Sequence, residues 1–162
     1  MEVGVMKPGD YMIHVYVQVG KNFKPEDSQE TADFLLEKGR QVEAKQTLFN
    51  ALLSVECGSQ LKYSKSQEIL TNNDNSDYWG EHFFFEPRGL SQDDIQDYKV
   101  KLTMLDKGFL RDQKVGEFEF DVAQLYFAND EHAIQHQWIA LVNPQAIKSA
   151  QVKGYLRVSV AI

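Results

Sequence analysis

Tyr11, Ile13, Val15, Val17 and Val19 alternate with Met12, His14, Tyr16 and Gln18. A period of two puts the first set on one side of a β-strand and the second on the other. The same kind of pattern predicts strands over 50–57 (NALLSVEC), 61–66 (LKYSKS), 79–86 (WGEHFFFE), 97–105 (DYKVKLTML), 115–121 (VGEFEFD), 135–141 (QHQWIAL) and 152–161 (VKGYLRVSVA). Polar segments separate them, most plainly LTNNDNSD at 70–77. Residues 20–25 are turn-like. Between the first two strands, residues 28–47 have helical composition and an imperfect apolar stripe. Asp27 and Glu30 resemble a capping box ahead of it, and Gly39 weakens it by about 1 kcal/mol relative to alanine. A short helical turn is expected within 127–134.

Eight short strands with one helical insertion predict an all-β, antiparallel sandwich. The expected interior positions are Ile13, Val15, Val17, Leu53, Val55, Phe83, Phe85, Val100, Leu102, Phe118, Phe120, Trp138, Leu156 and Val158. Trp138 needs a partner for its indole N–H if it is buried.

A chain of 162 residues is long enough for one domain with a substantial core. Its net charge of −7 argues against a nucleic-acid binder, which would carry a basic footprint. It also argues against long-range attraction to an anionic membrane, although a local basic patch can still act. One cysteine, Cys57, excludes an internal disulfide and fits a reducing, cytoplasmic setting. Cys57 ends the apolar run LLSVECG and reads as a strand-end thiol, a small hydrophobe, before it reads as a nucleophile. No stretch reads as a signal peptide or a membrane span.

The candidate chemistry is thin. Asn75, Asp77, Gly80 and Glu86 match the first, third, sixth and twelfth positions of an EF-hand loop. Trp79 takes the fifth, where an oxygen ligand is needed, so that reading is set aside. His132 and His136 are four apart but lack HExxH and a third ligand, and His14 and His82 are scattered on strands. No nucleophile elbow and no phosphate-cradling glycine loop occurs, so no enzyme is expected. Lys62 and Lys65, with Lys99 and Lys101, form two basic stretches on predicted strands. If those strands are neighbours, the lysines make a basic groove for a phosphoinositide or an acidic partner; the other reading is a solvated sheet face.

The whole chain resembles a C2 domain, and in particular the C2 domains of the ferlin family. PGDYMIHVYV at 8–17 resembles the opening strand, and NALLSVECGSQLKYSK at 50–65 the second and third. NSDYWGEHFFFE at 75–86 resembles the tryptophan-containing turn and the strand after it. The most specific stretches are VGEFEFDVAQLYFANDEHAIQHQWIALVNP at 115–144 and VKGYLRVSV at 152–160. The family often has a proline before the histidine; Asp130 and Glu131 stand there instead. The resemblance implies one C2 domain over 1–162, an eight-stranded sandwich whose first top loop is lengthened by a helical insertion at about 26–48. Ferlins are large, tail-anchored proteins of vesicle fusion and membrane repair with several C2 domains in series. A single excised domain or a small stand-alone relative is therefore expected.

Calcium-binding C2 domains collect about five carboxylates in their first and third loops, and here the resemblance maps Asn50, Asp106, Gly108 and Asp112 onto four of those positions. Asn22, Asp27 and Asp33 straddle the insertion, so the remaining ligand has no assigned residue. Calcium takes six to eight oxygens and is lost as carboxylates are lost. A weak or absent calcium site at Asp106 and Asp112, with Asn50 as a neutral neighbour, is therefore expected, and no other cofactor. The third-loop tip, Phe109 and Leu110, is expected to insert into a membrane interface, each contributing about 1.5–3 kcal/mol if fully buried. The other reading folds Phe109 back under the first loop. Arg111, Lys107 and Lys114 are placed to meet lipid phosphates. The expected function is non-catalytic docking, to phospholipid or to protein, in membrane trafficking or fusion, peripheral to a membrane. The alternative is a calcium-independent protein-interaction or scaffold domain with no lipid role.

Overall fold

The structure, a computed structural model, describes residues 4–25, 46–108, 111–144 and 151–162. All but the last two residues of the helix expected at 28–47 lie outside the described residues, as do Phe109 and Leu110. Nine antiparallel strands are found among those described: β1 (Ile13–Lys21), β2 (Leu48–Cys57), β3 (Gln60–Tyr63), β4 (Gln67–Leu70), β5 (Asp77–Phe85), β6 (Lys99–Lys107), β7 (Asp112–Asp121), β8 (Ala133–Val142) and β9 (Val152–Ala161). Two one-turn helices, α1 (Gln92–Gln96) and α2 (Val122–Tyr126), join β5 to β6 and β7 to β8.

The hydrogen-bonded order is β3-β2-β6-β7-β8-β9-β1-β5, with β4 also on β2. β7 and β8 share only the pair Glu117–Val142, so the order divides there into two layers. One layer is β3-β2-β6-β7, the other β8-β9-β1-β5. Their inner faces supply Leu53, Val55, Val100, Leu102 and Met104 from the first, and Ile13, Val15, Val17, Leu156 and Val158 from the second, all essentially inaccessible to water. Phe23 lies in the same core, edge-to-face with Trp79 (5.8 Å) and Phe49 (6.1 Å), one from each layer. It fits because Gly20 and Gly154 lack side chains. A Cβ on either would come within 2.5 Å and 2.4 Å of its ring. The turn-like composition of 20–25 concealed this core position.

Every expected interior position is buried or half-buried except Trp138, which is 42% exposed. The sequence IQHQWIAL has apolar residues in both phases. A register shift between Ile134 and Gln137 settles which phase wins, and Ile139 and Leu141 turn inward. Trp138 then pairs with Arg157 on the outer row, under the Lys21 ammonium at 4.6 Å from the ring. Outside, its N–H also needs no buried acceptor.

Three local details differ from the sequence pattern. The expected strand 61–66 breaks at Ser64, which exchanges hydrogen bonds with Leu53: Leu53 N–H donates to Ser64 Oγ (2.9 Å) and Ser64 N–H to the Leu53 carbonyl (2.8 Å). The chain then resumes as β4 on the same partner. The helical turn expected within 127–134 is instead α2, earlier in the chain, where Asp121 Oδ1 accepts from Gln124 N–H. α1 was not expected, although Ser91 and Asp94 form a full capping box, a readable S-x-x-D signal.

Candidate functional site

The β6–β7 hairpin closes the end of the sandwich where Asp106 and Asp112 lie. Asp106 pairs with Gln113 and Lys107 with Asp112, leaving Gly108 to Arg111 as the loop. At Gly108 a Cβ would meet the Arg111 carbonyl oxygen at 2.4 Å, so the tight loop needs glycine there. On the β2 side Asp106 faces Ala51, which continues the inward row of Leu53 and Val55. Asn50, one residue back, pairs with Glu68 and belongs to the outward row, as does Asp112 opposite Lys107. The three expected ligands therefore divide between two rows. Among the described residues, no group of three or more histidine, cysteine or acidic side chains is placed to hold a metal ion. The EF-hand decoy fails too: Asp77 and Gly80 lie within strand β5, and Trp79 is buried in the core.

The basic residues separate into groups with different surroundings. Lys107 and Arg111 are exposed at the hairpin tip. Lys114 reaches Glu117 at 3.0 Å, and Lys101 reaches the same carboxylate oxygen at 3.2 Å. Burial alone would raise the Glu117 pKa, but the two ammonium donors outweigh it and hold it below the usual range. Lys99 donates to Asp121 at 2.6 Å, and that hydrogen bond raises the lysine pKa. A cleft of about 310 Å³ beside these pairs is lined by Lys99 and Lys101 but also by Glu56, Asp97 and Glu119. Its charge is mixed, not basic.

Lys62 lies elsewhere. It pairs with Val55 on the inward row of β3, donates to the Phe84 carbonyl and sits over the Phe85 ring at 5.1 Å. It stitches the open edge of one layer to the other. The Lys65 backbone N–H donates to the Glu81 carboxylate at 3.1 Å. Lys62 thus does not share the outer face that carries Lys99 and Lys101, and the structure does not bring these lysines into one groove.

Cys57 is buried, and burial pushes its thiol up to about 11 despite a hydrogen bond from Tyr98. That is a packed thiol, not a nucleophile. His132 stacks on Tyr126 at 3.7 Å, and the backbone N–H of His136 donates to Ser159 Oγ; among the described residues neither histidine belongs to a group of three or more side chains placed to hold a metal ion.

The outer face of the second layer carries the group that the sequence pattern left scattered. On adjacent strands β1 and β5, His14 stacks on Phe84 (4.5 Å) and Tyr16 on His82 (4.4 Å). His14 Nε2 meets His82 Nδ1 at 2.7 Å. Burial, and then the neighbouring imidazole, lower the His14 pKa. Phe84 (49%) and Tyr78 (68%) are exposed beside them. The signal was present as the outward half of the alternation in HVYV and HFFF, but pairing across strands cannot be read from one strand.

No family model matches the sequence, and no curated protein matches it. The fold has counterparts among solved structures. A structure of two C2 domains of Extended-Synaptotagmin 2 matches with TM-score 0.56 and 12% identity, over 96% of this chain and 40% of that one. A CC2D1B structure matches with TM-score 0.57 and 15% identity, over 100% of this chain and 60% of that one. An isolated C2 domain matches with TM-score 0.53 and 10% identity, over 93% and 96%. The chain thus spans less than two thirds of the first two. At these identities the likeness is one of fold: the sandwich is a C2 sandwich.

Proposed function

We propose that residues 1–162 form one C2 module that docks, without catalysis, on a phospholipid surface through the β6–β7 hairpin. The observation that supports this most is the hairpin tip: exposed Lys107 and Arg111 bracket Gly108, Phe109 and Leu110 at one end of a C2 sandwich. Apolar side chains between cations suit an interface where acyl chains lie beneath anionic headgroups. The ferlin-like stretches at 115–144 and 152–160 support a place in membrane trafficking or fusion, peripheral to a cytoplasmic membrane face. Among the described residues no helix is long and apolar enough to cross a membrane.

Vesicle pelleting tests the reading. Wild-type protein is expected to sediment with phosphatidylserine vesicles, and the double variant Phe109→Ser, Leu110→Ser to stay in solution. No sedimentation with any lipid, with or without calcium, would favour the second reading, a protein-interaction module. The exposed aromatic outer face around Phe84 and Tyr78 supports that second reading.

Calcium is not required in either reading. Melting curves with and without millimolar calcium should nearly coincide, because a micromolar site would add about 4 kcal/mol. A shift of that size, removed by Asp106→Asn, would restore the calcium reading.

A further inference from the structure

We propose that Lys21, Trp138, Tyr155 and Arg157, on the side wall formed by β8, β9 and β1, dock an acidic peptide segment. The segment lies extended, with apolar side chains between its carboxylates. The site is separate from the hairpin tip and does not depend on the docking reading. Strand register builds it, through a bulge on each neighbour of β9. Val17 faces Val158 and Val19 faces Arg157, so β1 carries one extra residue there. Ile134 faces Val160 and Gln137 faces Val158, so β8 carries one too. Each bulge reverses the phase of its strand. Lys21 would otherwise share the inward row of Ile13, Val15 and Val17, and Trp138 the row of Ile134, which faces buried Val160. Both instead stand outside, Trp138 opposite Arg157 and Lys21 opposite Tyr155. The two shifts together bring two rings and two cations to one patch.

Local bonds hold the patch ready. The Lys21 ammonium lies over the Trp138 ring at 4.6 Å. Arg157 Nε donates to the His136 carbonyl at 3.2 Å, and the His136 backbone N–H donates to Ser159 Oγ at 3.0 Å. His136 sits at φ 49°, in the left-handed region that an L-residue occupies at a cost. These two hydrogen bonds help to offset that cost, and the first fixes the guanidinium through Nε. Its terminal nitrogens and the Lys21 ammonium have no hydrogen-bond or ion-pair partner among the described residues. Little side-chain freedom remains to be lost when an anion binds.

Charge selects the occupant. The chain holds 24 aspartates and glutamates against 17 lysines and arginines, yet β1, β8 and β9 contain no carboxylate side chain. An anion laid on these strands meets two cations and no repelling neighbour on them. On β6 and β7, by contrast, the lysines are already paired with carboxylates. The rings between the cations offer apolar faces, and aromatic and arginine side chains are the usual anchors of an interface. A bilayer fits this patch less well. Phe23, just past Lys21, packs on Phe49, just before Ala51, which pairs with Asp106. β1 therefore ends at the hairpin end of the sandwich, and the patch lies on a wall beside it. A membrane lying across the strand ends leaves that wall to a protein partner.

Titration of the full chain with a fluorescein-labelled octapeptide of aspartates interrupted by two phenylalanines tests the site, read by anisotropy and by amide chemical shifts. In the wild-type protein the shifts should centre on Lys21, Trp138, Tyr155 and Arg157, the indole N–H included. Replacing the aspartates of the peptide with asparagine should weaken binding at least tenfold, as should Lys21→Glu or Arg157→Glu. Lys7→Glu, an exposed charge reversal ahead of β1, should leave binding unchanged. The wild-type shift map needs no variant, so it decides the matter where a charge reversal unfolds the chain. No binding, shifts centred elsewhere, or equal affinity for the asparagine peptide would overturn the proposal. So would either of two other occupants. One is a second copy, seen as a wild-type dimer that Arg157→Glu dissolves. The other is a membrane, seen as sedimentation with phosphatidylserine vesicles that Lys21→Glu abolishes and the double variant Phe109→Ser, Leu110→Ser retains.

Discussion

The two outer faces of the sandwich rest on one shared core yet use their outward positions in opposite ways. On β6 and β7 the outward rows pair charge with charge: Lys99 with Asp121, and Lys101 and Lys114 with Glu117. On β1, β5 and β8 they pair ring with ring, or ring with cation: His14 with Phe84, Tyr16 with His82, and Trp138 with Lys21. The first face has spent its cations internally, so its lysines are poor bait for a phosphate. The second leaves the apolar surface of Phe84, Tyr78 and Trp138 exposed. The lysines in the sequence left two readings open, a basic groove or a solvated sheet face, and the ion pairs of the first face support the solvated one.

The largest effect should come from beneath both faces. Phe23→Ala removes the ring wedged between Phe49 and Trp79 and should cost about 3–5 kcal/mol, read as a lowered denaturant midpoint. Equal loss of structure on both faces is expected. If only one face loosens, the layers are not a single cooperative unit.

Glu117→Gln breaks the ionic face directly. It removes the partner of two ammonium groups and should cost about 1–3 kcal/mol. The freed lysines should also increase retention on an anionic resin. A variant with wild-type stability and wild-type retention would mean that these pairs are incidental.

Acid separates the faces without mutation. The folded-state pKa of His14 lies below 6.5, so the unfolded chain binds the extra proton first. Its contribution is present above pH 6.5 and is lost as pH falls from there through the depressed value. Asp121 is also depressed: burial opposes this, but the Lys99 hydrogen bond and the Gln124 N–H outweigh it. Its contribution is present above its ordinary 3.8 and is lost only as pH falls below that. A pH series of melting temperatures should therefore show a first decline below 6.5 that His14→Gln abolishes, and a second below 4 that Asp121→Asn removes. A single decline at low pH, indifferent to His14, would contradict the assignment.

The smallest effect should be Trp138→Ala. An exposed cation–π contact contributes about 0.5–1 kcal/mol, and the indole is already in water on one side. A loss of several kcal/mol would show that Trp138 is a core residue after all.

Local alternation in the chain by itself determined eight of the nine described strands, the sandwich, and the centre of its interior: Ile13, Val15, Leu53, Val100 and Leu156 are buried where a period of two puts them. A strand's inward face is a local property, because one buried row suffices to set it. The spacing of Asp106 and Asp112 around a short glycine-containing loop was likewise readable as a hairpin. What faces what was not. Trp138 turned outward because a register shift just before it changed the phase, and a shift of that kind is set by the neighbouring strand. Lys62 left the other lysines because β3 lies at a layer's edge, next to Phe84 and Phe85. His14 and His82, 68 residues apart, met because β1 and β5 pair in one register and no other. Ion pairs, ring stacks and ligand sets join residues distant in sequence, so they exist only once the strands have chosen their partners.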